Sequence, residues 1–91
     1  MSNTRGTSIR RRCIDLAADS DGLLFADGYD EAILGIGTRN GEEIVVYNAE
    51  KVIRILRRRD GMLLDEAAEF FDFNVAGAWV GERTPLFLRR I

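Results

Sequence analysis

The chain has 91 residues, 46% of them hydrophobic and 31% charged, with a formal net charge of −2. That leaves room for one hydrophobic core and supplies enough apolar surface to offset chain ordering, which disfavours intrinsic disorder. Histidine is absent and Cys13 is the sole cysteine. An internal disulfide and Cys–His chemistry are thereby excluded, and the commonest general base and transition-metal ligand are lacking. No apolar run reaches the ~18 residues that a membrane span requires. The N-terminus has no apolar signal core, and a cytoplasmic location is expected.

Charge is segregated along the chain. Residues 1–12 carry four Arg and no acid, residues 13–38 six acids and no base, and residues 60–82 six acids and no base. Arg outnumbers Lys twelve to one.

Residues 1–22 form an opening segment that reads two ways. As a helix from Ser8 it aligns Ile9, Cys13, Leu16 and Ala17 on one face. Its charges then oppose the macrodipole, because Arg10–Arg12 come first and Asp15 and Asp19 last. As a strand it puts Ile14 and Leu16 on one face and turns at Asp19-Ser20-Asp21-Gly22. The balance leans to helix.

Residues 23–91 read as one α+β domain. Leu23–Ala26 is a short apolar run between Gly22 and Asp27-Gly28 and predicts a buried strand. Ala32–Thr38 predicts a second strand, Asn40-Gly41 a type I′ turn, and Glu43–Tyr47 the returning strand. That loop pairs Thr38 with Glu43, Ile36 with Val45 and Leu34 with Tyr47. The opposite face then carries Ile33, Gly35, Gly37, Ile44 and Val46.

Asn48 can cap a helix from Ala49, with Val52, Ile55 and Leu56 inward and Asp60-Gly61 as its stop. A second helix, from about Leu64 to Ala76, has the stripe Leu64, Ala67, Ala68, Phe71 and Val75. Thr84–Leu88 predicts a last strand, which Pro85 confines to an edge or to pairing after Pro85. The expected architecture is a three- or four-stranded, mainly antiparallel sheet with two helices packed on one face. Two helices cannot cover both faces of such a sheet, so the face of Gly35, Gly37, Ile44 and Val46 is expected to need the N-terminal segment, a homodimer or a protein partner.

Few constellations suggest chemistry. Gly35-Ile36-Gly37 runs into a hairpin and does not open a helix, so it is no phosphate-binding loop. Asp19-Ser20-Asp21-Gly22 lacks the spacing of a calcium loop. Asp27, Asp30 and Glu31 could hold a cation or act as acid and base. The stronger expectation is a turn in which Asp27 and Asp30 accept backbone amides around Gly28. Arg10–Arg12 and Arg57–Arg59 could grip phosphates, but no aromatic residues interleave with them, and weak, non-specific nucleic-acid binding is expected. Tyr29 in its loop, and Phe70 and Phe73 off the helical stripe, complete a candidate interface with Ile33, Gly35, Gly37, Ile44 and Val46. Asn74 is expected to bond the backbone of the Gly77–Thr84 loop.

Phe25-Ala26-Asp27-Gly28-Tyr29-Asp30-Glu31-Ala32 with Ile33–Gly37, followed by Val45-Val46-Tyr47, Asp60-Gly61-Met62, Glu66-Ala67, Glu69-Phe70-Phe71, Phe73-Asn74-Val75, Gly77–Gly81 and Thr84-Pro85, resembles short uncharacterised proteins of bacteriophages and prophages. The likeness spans about residues 24–88. It departs at Leu63, where a Ser or Thr cap would be expected. The resemblance implies a small accessory protein that binds and alters host or defence proteins, and it carries no functional residues. The expectation is therefore a non-enzymatic binding protein with no cofactor and no metal. A nucleic-acid-associated regulator using the arginine clusters is the alternative.

Overall fold

A computed structural model describes residues 4–91, so the first three residues of the opening segment lie outside it. The remainder of that segment is helix α1, Thr4–Leu16, followed by a one-turn 3-10 helix at Ser20–Gly22. Cys13 is buried in the core, with Ile9 and Ala17 packed beside it, while Leu16 is exposed. Arg11 bridges Asp15 one turn on at 3.5 Å. Arg10 leaves the helix axis altogether. Its guanidinium donates to Asp30 at 2.8 Å and lies 4.5 Å from the centre of the Phe25 ring. The unfavourable order of charges along this helix is thus offset by contacts with residues far along the chain.

Leu23–Ala26 forms no strand. The Ala26 amide donates to the Tyr47 hydroxyl at 2.7 Å instead of to a neighbouring strand. The run is apolar because it lies against the core, with Leu23 buried and Phe25 and Ala26 half-buried. It needs no sheet to bury it.

Strands β1 (Ile33–Arg39) and β2 (Glu42–Asn48) form the expected antiparallel hairpin. Asn40 and Gly41 both take positive φ, 52° and 81°, as a type I′ turn demands. Thr38 faces Glu43 and Ile36 faces Val45, as the loop length dictates. Beyond Gly35 the register slips: Ile33, not Leu34, stands opposite Tyr47. This bulge has a packing reason. Regular alternation would put Ile33 and Ile36 on opposite faces, whereas the extra residue turns both toward Val45 and Tyr47 and leaves Leu34 exposed.

Helix α2, Ala49–Asp60, begins where Asn48 Oδ1 accepts the Lys51 amide at 3.1 Å and ends at Gly61 with φ 68°. Ala49, Val52, Ile55 and Leu56 are its buried residues. Helix α3, Leu64–Phe70, starts without a hydroxyl cap, and Glu66 Oε1 accepts the Leu63 amide at 2.9 Å in its stead. The helix does not stay α-helical to Ala76. From Phe71 to Ala76 it widens to a π-helix. Ala67 and Phe71 are buried and Ala68 and Val75 half-buried, but Leu64 is exposed.

β3, Leu86–Leu88, runs parallel to β2, with Val46, Tyr47 and Asn48 beside Leu86, Phe87 and Leu88. The fold is therefore α+β with a three-stranded sheet of order β1-β2-β3 that is mixed, antiparallel between β1 and β2 and parallel between β2 and β3, and with three α-helices where two were expected. Residues 49–85, with their helices, form the long crossover connection that a parallel pair requires.

Gly77 is fixed by a close approach. A Cβ there would lie 2.8 Å from the Asp72 carbonyl oxygen in the π-helix. Backbone cannot yield as a side chain can, so Gly77→Ala is expected to cost about 1–3 kcal/mol in a urea titration.

The second sheet face is covered in part by the chain itself, with Gly35, Gly37 and Val46 left half-buried. Ile44 is buried in a single copy. Arg39, on the same face as Gly37 by alternation, reaches past β2 to donate to the carbonyls of Glu82 and Thr84, both at 3.0 Å. Its guanidinium also lies 5.5 Å from the centre of the Trp79 ring.

Candidate functional site

The residues expected at an interface divide into two groups. Tyr29, Ile33 and Ile44 are buried and serve the chain's own packing. Gly35, Gly37 and Val46 are half-buried within the hairpin. Phe70 and Phe73 are exposed, Phe73 by 76%. Tyr29 is held by Arg59, whose guanidinium stands 5.2 Å over its ring and donates to the Gly28 carbonyl at 3.1 Å. Arg58 donates to Glu31 at 3.1 Å. Two of the three arginines at the end of α2 thus clamp the Gly28–Glu31 turn. Arg57 has no ion pair among the described residues, and with Arg54, Arg58, Gly61 and Met62 it lines a shallow groove.

The carboxylates of residues 27–31 are not turn acceptors. Asp30 and Glu31 take arginines, and the Asp27 side chain is 95% exposed with a single contact, Arg10 at 3.4 Å. Asp27→Ala is accordingly expected to change stability by less than about 0.5 kcal/mol, well under the loss that a turn acceptor would imply. A thermal melt of the variant checks this.

One concavity is an apolar cleft of about 490 Å³. One wall is the extended run Leu24–Asp27 with Tyr29, a second is Phe70, Asn74, Val75 and Ala78, and the floor includes Phe87 of β3. Val80, 62% exposed, and Pro85 close the third side. That side is shaped by Thr84, which is buried: its hydroxyl accepts the Val80 amide at 2.9 Å and donates to the Gly81 carbonyl at 2.6 Å. The floor is rigid because Phe87 stacks on Tyr47 and meets Phe71 edge-on, both at 5.3 Å between ring centres.

Asn74 does not bond the Gly77–Thr84 loop. It is exposed, and its amide has no side-chain hydrogen bond among the described residues. Asn74 and Phe70 also line a neighbouring groove of about 390 Å³ with Met62, Glu66, Glu69 and Phe73.

Arg83 sets how these parts meet. With its side chain only 12% exposed, it donates to the Glu43 carbonyl at 2.9 Å and to the Asp19 carbonyl at 3.1 Å. It thereby ties the loop before β3 to β2 and to the segment after α1. The sequence marks Arg83 only as one basic residue near the end of the chain, and its partners lie 40 and 64 residues away.

Tyr47 is the strongly perturbed titratable group. Burial pushes its hydroxyl up to about 12, only partly opposed by the hydrogen bond from the Ala26 amide. Burial likewise raises the Cys13 thiol above its ordinary value, which disfavours the reactive thiolate. Neither group lines the cleft. No helix among the described residues is long and apolar enough to cross a membrane. No family model, curated protein or solved structure matches the chain.

Proposed function

We propose that this protein is a non-enzymatic binding module that holds a segment of a protein partner in the cleft between Leu24–Tyr29 and Phe70–Val80. The observation that carries this reading is the cleft itself, with Leu24, Phe70 and Val80 exposed around it and Phe73 and Trp79 exposed on the same stretch of chain. Exposed aliphatic and aromatic side chains around a concave apolar surface are what a partner's apolar anchors would bury. The segments that resemble phage and prophage proteins, including Phe25–Tyr29, Phe73–Val75, Gly77–Gly81 and Thr84-Pro85, contribute most of its lining. That resemblance supports a host or defence protein in a bacterial cytoplasm as the place to look for the partner. Val80→Asp tests the reading: it is expected to abolish capture of a partner from a bacterial extract while leaving the melting temperature unchanged. Capture that survives Val80→Asp would sink it.

A second reading is supported by Arg54, Arg57 and Arg58 on one groove at the end of α2. In that reading the arginines contact nucleic-acid phosphates. A steep loss of affinity for duplex DNA as salt rises, removed by Arg54→Gln and Arg57→Gln together, would promote it over the first.

A further inference from the structure

We infer that the segment held in this cleft is cationic and amphipathic, carrying apolar side chains on one face flanked by Lys or Arg. The inference rests on the proposed binding role of the cleft and adds the chemistry of its occupant. The cleft and the adjoining groove share Phe70 and Asn74, so they form one trough with two apolar hollows. Its charged lining residues are Asp27, Glu66 and Glu69, and no Arg or Lys lines either hollow.

Two arginines stand behind one wall without lining it, Arg10 4.5 Å from the Phe25 ring and paired with Asp30 and Asp27, and Arg59 5.2 Å from the Tyr29 ring and paired with Asp60. The side of Glu66 and Glu69 has no such neighbour among the described residues, and Arg54, Arg57 and Arg58 gather in a separate groove. Asp27 is almost fully exposed, with one long contact. Glu69 has no ion pair among the described residues, and Glu66 commits one oxygen to the Leu63 amide. Carboxylates along a low-dielectric apolar trough concentrate negative potential there and attract cations. A Lys or Arg side chain suits such a rim, because its stem can lie on the apolar wall while its head meets a carboxylate. Asn74, between the two hollows, offers an amide donor and acceptor to a peptide backbone.

An apolar small molecule fits less well. Such ligands bury most of their surface in enclosed sites, and they would leave the acidic rim unused. An amphipathic peptide laid along a groove places its anchors in successive hollows and its charges at the edge.

The test uses three fluorescently labelled peptides of about 16 residues, enough for roughly four helical turns. One carries Leu and Phe on one helical face and Lys and Arg on the other. The second replaces Lys and Arg by Glu. The third scrambles the first so that it is no longer amphipathic. Anisotropy titrations of the full chain are expected to show the cationic peptide binding at least about tenfold tighter than the acidic one, and weakening as salt rises. The scrambled peptide should bind weakly. Val80→Asp should remove binding of the cationic peptide. Asp27→Lys with Glu69→Lys should reverse the charge preference, with circular dichroism confirming that the variant stays folded.

Equal or tighter binding of the acidic peptide, lost in Val80→Asp, would overturn the inference while leaving the cleft as a docking site. Binding of no peptide class, or binding indifferent to Val80→Asp, would overturn both. Displacement of the cationic peptide by decanoate, without any charge preference among the peptides, would assign the cleft to an apolar ligand. Displacement by concentration-dependent dimerisation of the chain would assign it to a second copy.

Discussion

Phe71→Ala is expected to remove a large share of the stability of the fold. The ring is buried and meets Phe87 edge-on at 5.3 Å, and Phe87 in turn stacks on Tyr47. Truncating a buried Phe costs about 3–5 kcal/mol, and losing an aromatic pair accounts for part of that. A domain of this size holds only about 5–14 kcal/mol in total. Its melting temperature should therefore fall by about 15–30 °C. The position matters for a second reason. Phe71 opens the π-helix, and it bridges the helical layer to β3, the strand with the fewest residues to hold it. Phe73, two residues on, points to solvent, and Phe73→Ala should change stability by less than about 0.5 kcal/mol. Urea titrations of the two variants side by side give the check. A loss at Phe71 below about 1.5 kcal/mol would mean that the core tolerates the cavity and that the three-ring stack is not its keystone.

Alkaline unfolding is expected to report on Tyr47. Its hydroxyl is raised from an ordinary value of 10.0 to about 12 because the folded chain removes it from water. Below pH 10 both folded and unfolded chains hold the proton, and the contribution to stability is intact. As pH rises from about 10 to 12 the unfolded chain releases the proton while the folded chain keeps it. Stability therefore falls through that window, by about 2–3 kcal/mol for a shift of this size. Tyr47→Phe should flatten this part of the pH profile. At neutral pH the same variant should be less stable by about 1–3 kcal/mol, because the Ala26 amide loses its acceptor. Denaturant midpoints at pH 9 and near pH 12, for both proteins, separate the two effects. An equally steep alkaline loss in Tyr47→Phe would place the titration on other groups.

The parts of the fold legible in the sequence are those with short-range causes. Asn40-Gly41 demands positive φ at two successive residues, so it dictates the hairpin and the register nearest the turn. Asn48 and Gly61 bracket α2 because one accepts an amide three residues on and the other tolerates the left-handed conformation that ends a helix. The stripe Ala67 to Phe71 shows which face of α3 is inward, and the lean toward helix for the opening segment agrees with α1.

Tertiary structure decided the rest, and in each case the determining partner is distant in sequence. The bulge at Leu34 answers to the burial of Ile33 and Ile36 against the same face as Tyr47, which no local pattern encodes. Leu23–Ala26 has the composition of a strand, but it pairs with neither edge of the sheet and the Tyr47 hydroxyl takes its last amide. Asp27 and Asp30 look like turn acceptors until Arg10 is brought over from α1. The cleft is the extreme case. Its walls come from residues near 25, 70–80 and 85–87, and Arg83 and Thr84 fix how those segments meet. Sequence alone dictated the hairpin turn, the limits of α2 and its apolar face, since interactions within four residues suffice for these. Strand direction, the second face and the cleft depend on which distant segments share the core, and burial in three dimensions settles that.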